Sequence, residues 1–184
     1  MMGKRAVFLD RDDTLIVNVP YLGDPSLVQL MPGAVAAVQE LRRQNLTLIV
    51  ISNQSGVGRG LITKQQVRAV DARMEELLGG GPIFAHYGHC FAAPGDPYDE
   101  YRKPSPKMIQ EAASTLSIDL SQSFMVGNRL SDIQAGQNAG CRTILLKLCV
   151  PVDELQDSSQ LATYSASDWH AATKWILQDL QKSS

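Results

Sequence analysis

The sequence has little of what marks a secreted or membrane-bound protein. Only three cysteines, Cys90, Cys141 and Cys149, occur in 184 residues, and none of them form a Cys-x-x-Cys pair. An odd number at such spacings indicates neither a disulfide framework nor a complete zinc site, so we expect reduced thiols. No apolar stretch approaches the roughly 18 residues of a membrane span, and a strand-like run follows Met1 too closely to leave room for a signal peptide. We therefore expect a cytoplasmic protein.

An excess of positive charge is also missing. The chain has 17 Lys and Arg against 19 Asp and Glu, a formal net charge of −2, and no long basic run. This balance argues against a nucleic-acid surface and favours small-molecule chemistry. Aromatic residues make up only 6%, but 44% of the residues are hydrophobic, which is enough to bury the core of one domain.

Short apolar runs alternate with helical patterns along the chain. The runs predict strands at Ala6–Asp10, Leu46–Ser52, Ile83–Phe91, Phe124–Val126 and Thr143–Lys147. Periodicity predicts helices at Ala34–Gln44, Lys64–Leu78, Pro106–Leu116, Asp132–Ala139 and about 168–181. Such alternation is typical of an α/β fold with a Rossmann-like parallel sheet and helices on both faces. We expect a single domain with its core at about 6–147 and the C-terminal helix packed on the sheet edge.

Two carboxylates follow the first predicted strand. Asp10 and Asp12 are spaced i and i+2, which places them on one side of a strand, where they can converge on one metal ion or phosphorus atom. One could attack a phosphoryl group while the other transfers protons. The pair is also compatible with an ordinary strand end followed by an Asx-type turn. Arg11 is expected at the surface or behind the site.

Polar segments also follow the second and fourth predicted strands and precede the third long helix. They are Ser52–Gly56, Gly127–Asp132 and Arg102–Pro104. Ligands of open parallel sheets bind outside the carboxyl ends of the strands, so these segments can share one site with Asp10 and Asp12. Each has a structural alternative: Ser52 as a strand-terminal hydroxyl, Lys103 as a solvated cation and Asp132 as a helix N-cap. Their joint arrival at one edge favours a site.

The four segments resemble the motifs of the haloacid-dehalogenase-like phosphohydrolases. The motifs are matched by Asp10–Thr14, Ser52, Lys103 and Gly127–Asp132. Within that superfamily the chain is most similar to the D-glycero-D-manno-heptose 1,7-bisphosphate 7-phosphatases and the related histidinol-phosphate phosphatases, over about residues 6–146. The segments that carry this similarity are Leu9–Asp12, Ser52–Gly60, Arg102–Pro106 and Val126–Ala135.

This resemblance implies a magnesium-dependent phosphatase that works through an aspartyl-phosphate. Asp10 would be the nucleophile and Asp12 the general acid/base. The phosphate would be held by Ser52 and Lys103. Residues implied near the substrate are Asn53, Gln54, Ser55, Arg59, Arg102 and Arg129. Implied metal ligands are Asp10, Asp12 through its carbonyl, and Asn128, with Asp132 and Asp13 as further candidates. Magnesium, Lys103 and backbone amides near Asn53 would offset the negative charge of a transferring phosphoryl group.

The spacing of the motifs leaves no room for a separate cap domain. About forty positions separate Asp10 from Ser52, and about fifty separate Ser52 from Lys103. Substrate selection must then come from loops at 17–24, 54–60 and 92–101. We expect a monomer that acts on a small phosphorylated sugar, without a nucleic-acid or membrane partner.

Three positions depart from the family pattern. Relatives often carry Cys-x-His and Cys-x-Cys before the Arg-Lys-Pro, but His89 and Cys90 cannot by themselves close a tetrahedral site, so no zinc is expected. Asp13 stands where glycine is usual, and aspartate tolerates left-handed backbone angles better than most residues. Asn128 stands where an aspartate usually binds magnesium, and it keeps an oxygen but loses one charge.

Three functions stay open at this point. The first is an active phosphatase for a heptose bisphosphate, histidinol phosphate or a similar small ester. The second is a weakened member that binds a phosphorylated ligand without turnover. The third, a polynucleotide 3′-phosphatase, is suggested by the run Asn53–Gly60, but the acidic balance argues against it. We favour activity because the nucleophile, the acid/base, the hydroxyl and the lysine are all present.

Overall fold

The computed structural model describes residues 3–182 and contains one six-stranded sheet. Its strands are β1 (Ala6–Leu9), β2 (Thr47–Asn53), β3 (His86–Cys90), β4 (Phe124–Gly127), β5 (Arg142–Leu146) and β6 (Tyr164–Ala166). All pairings are parallel, in the order β3-β2-β1-β4-β5-β6. The predicted Rossmann-like α/β fold is therefore confirmed.

Seven helices surround the sheet within these residues. They are α1 (Ala34–Arg43), α2 (Ser55–Gly58), α3 (Lys64–Leu77), α4 (Lys107–Leu116), α5 (Leu130–Ala139), α6 (Leu155–Leu161) and α7 (Trp169–Lys182). The segments between the four motifs hold these helices, strands and loops, and no inserted cap domain occurs within 3–182. In the same residues, no helix combines the length and the apolar character of a membrane span.

The first strand is apolar on both sides because helices cover both faces of the sheet. Val7 and Leu9 join the cluster that includes α1 and α7, while Ala6 and Phe8 join the cluster that includes α4 and α5. All four side chains are fully buried. Such two-sided burial is expected of a central parallel strand. It gives the residues that follow β1 a rigid support.

The C-terminal segment supplies one edge of the sheet and a helix that covers it. The short strand β6 forms that edge beside β5, and α7 packs against β6, β5 and α1 on one face, with Trp175 stacked on Tyr164. The buried Trp169 at the start of α7 donates a hydrogen bond from Nε1 to the Thr14 carbonyl at 2.8 Å. The tail therefore contacts the turn that carries Asp10 and Asp12.

Candidate active site

A cavity of about 210 Å³ lies at the carboxyl ends of β1, β2 and β4. It brings together residues from all four segments singled out in the sequence. Its lining residues are Asp10, Asp12, Asp13, Asn18, Ser52, Asn53, Arg102, Lys103, Asn128, Arg129, Ser131 and Asp132. The parallel strands end side by side here, so residues far apart in the chain become neighbours.

Lys103 lies between two carboxylates at this edge. Its Nζ donates to Asp10 Oδ1 at 2.7 Å and to the Ile51 carbonyl at 2.8 Å. The same nitrogen forms an ion pair with Asp132 Oδ1 at 2.6 Å. All three charged side chains are buried. Lys103 is thus a fixed ammonium in the cavity wall and not the solvated loop cation that the sequence left open.

Burial changes the proton affinities of this cluster. It raises the pKa of Asp10 to about 7, with a further increase from Asp132 and an opposing contribution from Lys103. Burial alone would lower the pKa of Lys103, but Asp10 and Asp132 outweigh it and raise that pKa above its usual value. The cluster therefore has more carboxylate than cation and can accept further positive charge.

Two neighbours hold the Asp12 carboxylate. Arg11 Nη2 donates to both of its oxygens at 3.2 Å, and Gln54 Nε2 donates to Oδ2 at 2.8 Å. Gln54 Nε2 also donates to Ser52 Oγ at 2.8 Å. Gln54, predicted near the substrate, is buried behind the cavity and links Asp12 to Ser52.

Arg11 is only 1% exposed, so the expectation of a surface position is wrong and the alternative, behind the site, describes it. Its Nη1 donates to Asp71 Oδ1 at 3.1 Å. Sequence reasoning missed Asp71, although a signal was available, because it interrupts the apolar stripe of α3 formed by Val67, Val70 and Met74. A carboxylate on a buried helical face needs partners, and Arg11 is one partner of Asp71 and His89 another.

The oxygens of Asp10 and Asn128 face a common hydroxyl. Thr14 Oγ1 lies 3.3 Å from Asp10 Oδ2 and 3.4 Å from Asn128 Oδ1. The side-chain nitrogen Nδ2 of Asn128 donates to the Cys149 carbonyl at 2.8 Å, and this bond turns Oδ1 of Asn128 towards Thr14. Thr14 was part of the first motif, but no role was assigned to it from sequence.

This donor set fits a magnesium ion. Magnesium prefers hard oxygen ligands and binds through one or two carboxylates, keeping several waters. Within 3–182 no three His, Cys, Asp or Glu side chains are arranged for a metal, so carbonyl and amide oxygens must contribute. Asp132 is already used by Lys103 and accepts from the Arg129 amide through Oδ2 at 2.9 Å. Asp132 is the third residue of α5 and the N-cap is Arg129, so the alternative that Asp132 is the N-cap is wrong.

Asp13 adopts a left-handed backbone with φ of 59° in the turn after Asp12. Its Oδ1 accepts from the Asn18 amide at 3.1 Å. Aspartate can adopt this conformation at modest cost, so the turn forms without the usual glycine. The carboxylate both secures the loop and lines the cavity.

The side chain of Asn53 holds the Lys103 backbone. Its Oδ1 accepts from Lys103 N at 3.0 Å and its Nδ2 donates to Lys103 O at 3.3 Å. The neighbouring Arg102 lines the cavity, and its buried Nη1 has no hydrogen-bond partner among residues 3–182. Arg129 is half-exposed and forms an ion pair with Glu154 at 2.7 Å. Two arginines thus border the cavity, one paired and one with an unused donor.

Ser55 and Arg59, also predicted near the substrate, do not line this cavity. They lie in and just after the short helix α2, which is tied to the end of β3. The amide of Gln54 donates to the Cys90 carbonyl at 2.7 Å, and that of Gly58 donates to the Phe91 carbonyl at 2.9 Å. These bonds hold α2 beside the end of β3.

His89 and Cys90 do not converge, because consecutive strand residues face opposite sides of a sheet. His89 Nε2 lies 2.7 Å from Asp71 Oδ2 on the α3 side. Cys90 is buried in the cluster that includes α4, and burial raises the pKa of its thiol. The two residues therefore cannot share one metal ion in this arrangement.

Known proteins are similar to this chain in sequence and in architecture. The family model for haloacid dehalogenase-like hydrolases matches residues 19–140. The chain is 32% identical to the D-glycero-D-manno-heptose-1,7-bisphosphate 7-phosphatase of Chlorobaculum tepidum, and the alignment covers 96% of each. It is 34% identical to the protein of that name from Thermosynechococcus vestitus, and the alignment covers 97% of this chain and 98% of the relative.

A solved structure is similar throughout. It is the D,D-heptose 1,7-bisphosphate phosphatase from B. bronchiseptica complexed with magnesium and phosphate. The TM-score is 0.85 at 27% sequence identity, covering 95% of this chain and 99% of that one. The chain therefore belongs to the haloacid dehalogenase-like hydrolases and is a phosphatase of that family.

Proposed function

We propose that the protein is a magnesium-dependent phosphatase that removes the 7-phosphate of a D-glycero-D-manno-heptose 1,7-bisphosphate through an aspartyl-phosphate on Asp10. The observation that carries the chemistry is the contact of Asp10 with Lys103 in a cavity that Asp12 and Ser52 also line. The names of the relatives, which cover nearly the whole chain, support this substrate.

The first half-reaction transfers the phosphoryl group to Asp10. A carboxylate oxygen of Asp10 forms a bond to phosphorus as the bond from phosphorus to the sugar oxygen breaks, and Asp12 gives that oxygen a proton. In the second half, Asp12 takes a proton from water as the water oxygen attacks phosphorus. Inorganic phosphate leaves and the Asp10 carboxylate is restored.

Positive charge and hydrogen-bond donors stabilise the transferring group. Lys103, the Ser52 hydroxyl and the backbone N–H of Asn53 would hold the phosphoryl oxygens. Magnesium, held by the Asp10 side chain, the Asp12 carbonyl and Asn128, would supply charge that offsets repulsion between phosphate and carboxylate.

The size of the cavity supports a phosphate group with its bulk outside. Its volume of about 210 Å³ is below the range of roughly 300–1,000 Å³ that encloses most of a drug-sized ligand. With no cap domain, the sugar would lie against the loops at 17–24 and 92–101. Arg102 and Arg129 at the cavity edge would supply cations to an anionic substrate.

A substrate panel tests this function. Purified protein would be assayed with magnesium, and with chelator, against both anomers of heptose 1,7-bisphosphate, histidinol phosphate and a 3′-phosphorylated oligonucleotide. We expect the highest kcat/KM for a heptose bisphosphate and loss of turnover with chelator. Faster turnover of another ester would reassign the substrate. Saturable binding without turnover of any ester would support the ligand-binding alternative.

The protein should also fold and work without zinc. His89 and Cys90 face opposite sides of β3, so two of the residues nearest the usual zinc loop cannot act together. Elemental analysis of protein purified without chelator should show much less than one zinc per chain. One tightly held zinc per chain would contradict this and require ligands from more distant residues.

A further inference from the structure

A second buried charge network lies behind Asp12, outside the cavity. Arg11 contacts Asp12 with Nη2 and Asp71 with Nη1, and Asp71 Oδ2 lies 2.7 Å from His89 Nε2. The side chains of Arg11, Asp71 and His89 are 1%, 7% and 7% exposed. None of the three lines the cavity. The chain of contacts runs from the proposed general acid, which follows β1, to a histidine on the edge strand β3, on the far side of β2.

The direction of the Arg11 side chain is set by this network. A carboxylate only accepts hydrogen bonds, so His89 Nε2 carries the hydrogen that Asp71 receives. His89 Nδ1 is buried and has no hydrogen-bond partner in the described chain, so the ring is held by its contact with Asp71 alone among these hydrogen bonds. Asp71 is thereby fixed on one oxygen by His89 and offers the other to Arg11.

Arg11 in turn fixes the plane of the Asp12 carboxylate. A guanidinium presents its donors in a rigid fork, so holding one nitrogen orients the others. Burying the charged side chains of Arg11 and Asp71 is costly, and a hydrophobic replacement often stabilises a fold more. Stability alone therefore does not account for this network.

We propose, on the basis of the function proposed above, that Asp71 and His89 are positioning residues that act through Arg11 to hold Asp12 for proton transfer to the leaving oxygen. They touch neither the substrate nor the reacting atoms. A small displacement of an acid/base group can cost a large part of its catalytic effect. The loss should be largest for leaving groups that need a proton.

The test compares two esters in matched variants. Asp71→Asn keeps the shape of the side chain but removes its negative charge. It also replaces one of the two oxygens that Arg11 and His89 contact by an amide nitrogen, which cannot accept a hydrogen bond. Glu75→Gln makes the same chemical change one turn later on α3, where the carboxylate accepts from the Ile83 and Phe84 amides. Both variants would be assayed on an alkyl phosphate that the wild type hydrolyses and on p-nitrophenyl phosphate.

For Asp71→Asn we expect kcat/KM on the alkyl phosphate to fall about tenfold or more, and kcat/KM on p-nitrophenyl phosphate to fall less than about threefold, because kcat/KM reports formation of the aspartyl-phosphate. Inhibition by inorganic phosphate should stay close to wild type. Glu75→Gln should leave the ratio of the two kcat/KM values close to wild type. In an Asp12→Asn background, Asp71→Asn should add no further discrimination between the esters, since the two residues act in series.

A second pair of variants keeps the test decisive if Asp71→Asn does not fold. His89→Gln retains an N–H donor for Asp71 and should preserve the wild-type ratio of kcat/KM on the alkyl phosphate to kcat/KM on p-nitrophenyl phosphate, whereas His89→Phe should lower that ratio. Equal losses on both esters, or no loss, would overturn the inference while leaving the phosphatase function intact. A wild-type protein that hydrolyses no phosphate ester would overturn the proposed function and this inference with it.

Discussion

Two buried cations, Lys103 and Arg11, each lie between a pair of aspartates, but they face different parts of the molecule. Lys103 contacts Asp10 and Asp132 and lines the cavity. Arg11 contacts Asp12 and Asp71 and is excluded from it. Both side chains are almost fully buried.

The choice of cation follows from this difference. The ammonium of lysine is a compact charge that can share itself between carboxylate and phosphate oxygens as a phosphate enters and leaves. The guanidinium of arginine is a planar fork suited to one lasting geometry. In the proposed mechanism, Lys103 would therefore exchange partners during turnover, whereas Arg11 would keep the same partners.

The largest effect should come from Asp10→Asn, which removes the nucleophile from the lysine centre. An amide cannot form the covalent intermediate, so kcat should fall by several powers of ten, while binding of a phosphate ester largely persists. Single-turnover assays and calorimetric titration with a slowly hydrolysed ester would measure the two quantities. Residual activity within about tenfold of wild type would exclude Asp10 as the nucleophile.

Asp12→Asn should come next and should depend on the leaving group. General acid catalysis contributes roughly 10²- to 10⁴-fold, and an alkyl phosphate needs that proton more than p-nitrophenyl phosphate does. We expect the ratio of kcat/KM for the two esters to shift against the alkyl phosphate. An equal loss on both esters would show that Asp12 does not protonate the leaving oxygen.

Matched methionine substitutions separate the two cations. Lys103→Met and Arg11→Met each leave buried aspartates without their cation, and each should lower the free energy of unfolding by about 3 kcal/mol. Only Lys103→Met should strongly weaken inhibition by inorganic phosphate. Denaturant unfolding and steady-state inhibition would measure both effects. Equal weakening of phosphate binding by the two variants would contradict a division of roles.

The smallest effect should come from restoring charge at Asn128. Asn128→Asp adds a carboxylate near Asp10 and should lower the magnesium concentration for half-maximal activity severalfold, because the ion prefers charged oxygens. If Asp13 already compensates, the gain should be small and Asp13→Gly should weaken magnesium binding.

Metal titrations of both single variants and the double variant distinguish these outcomes. Coupled residues deviate from additivity, so strictly additive effects would exclude compensation by Asp13.

The sequence predicted the fold and the grouping of cavity residues for one physical reason. Short, continuously apolar runs that alternate with helices indicate a parallel sheet, and the residues after such strands meet at one edge. Asp10, Ser52 and Lys103 could therefore be assigned to one place without coordinates. The edge strand β6 could not, because its three residues carry too little pattern to predict a strand.

Contacts that depend on tertiary packing were also beyond the sequence. The ion pair between Arg11 and Asp71 joins residues 60 positions apart, and nothing local to either specifies the other. Likewise, the direction of α2 depends on bonds to the end of β3, so Ser55 and Arg59 could not be assigned to a side of the site. Motif spacing shows which segments meet, and side-chain packing decides which atoms do.

The hydrogen bond from Trp169 to the Thr14 carbonyl also bears on synthesis of the protein. The turn beside Asp10 is synthesised well before Trp169, which follows Thr14 by 155 residues at the start of α7. A nascent chain can thus form most of the sheet while this turn still lacks its buried partner. Activity should appear only after α7 has emerged from the ribosome and docked against α1.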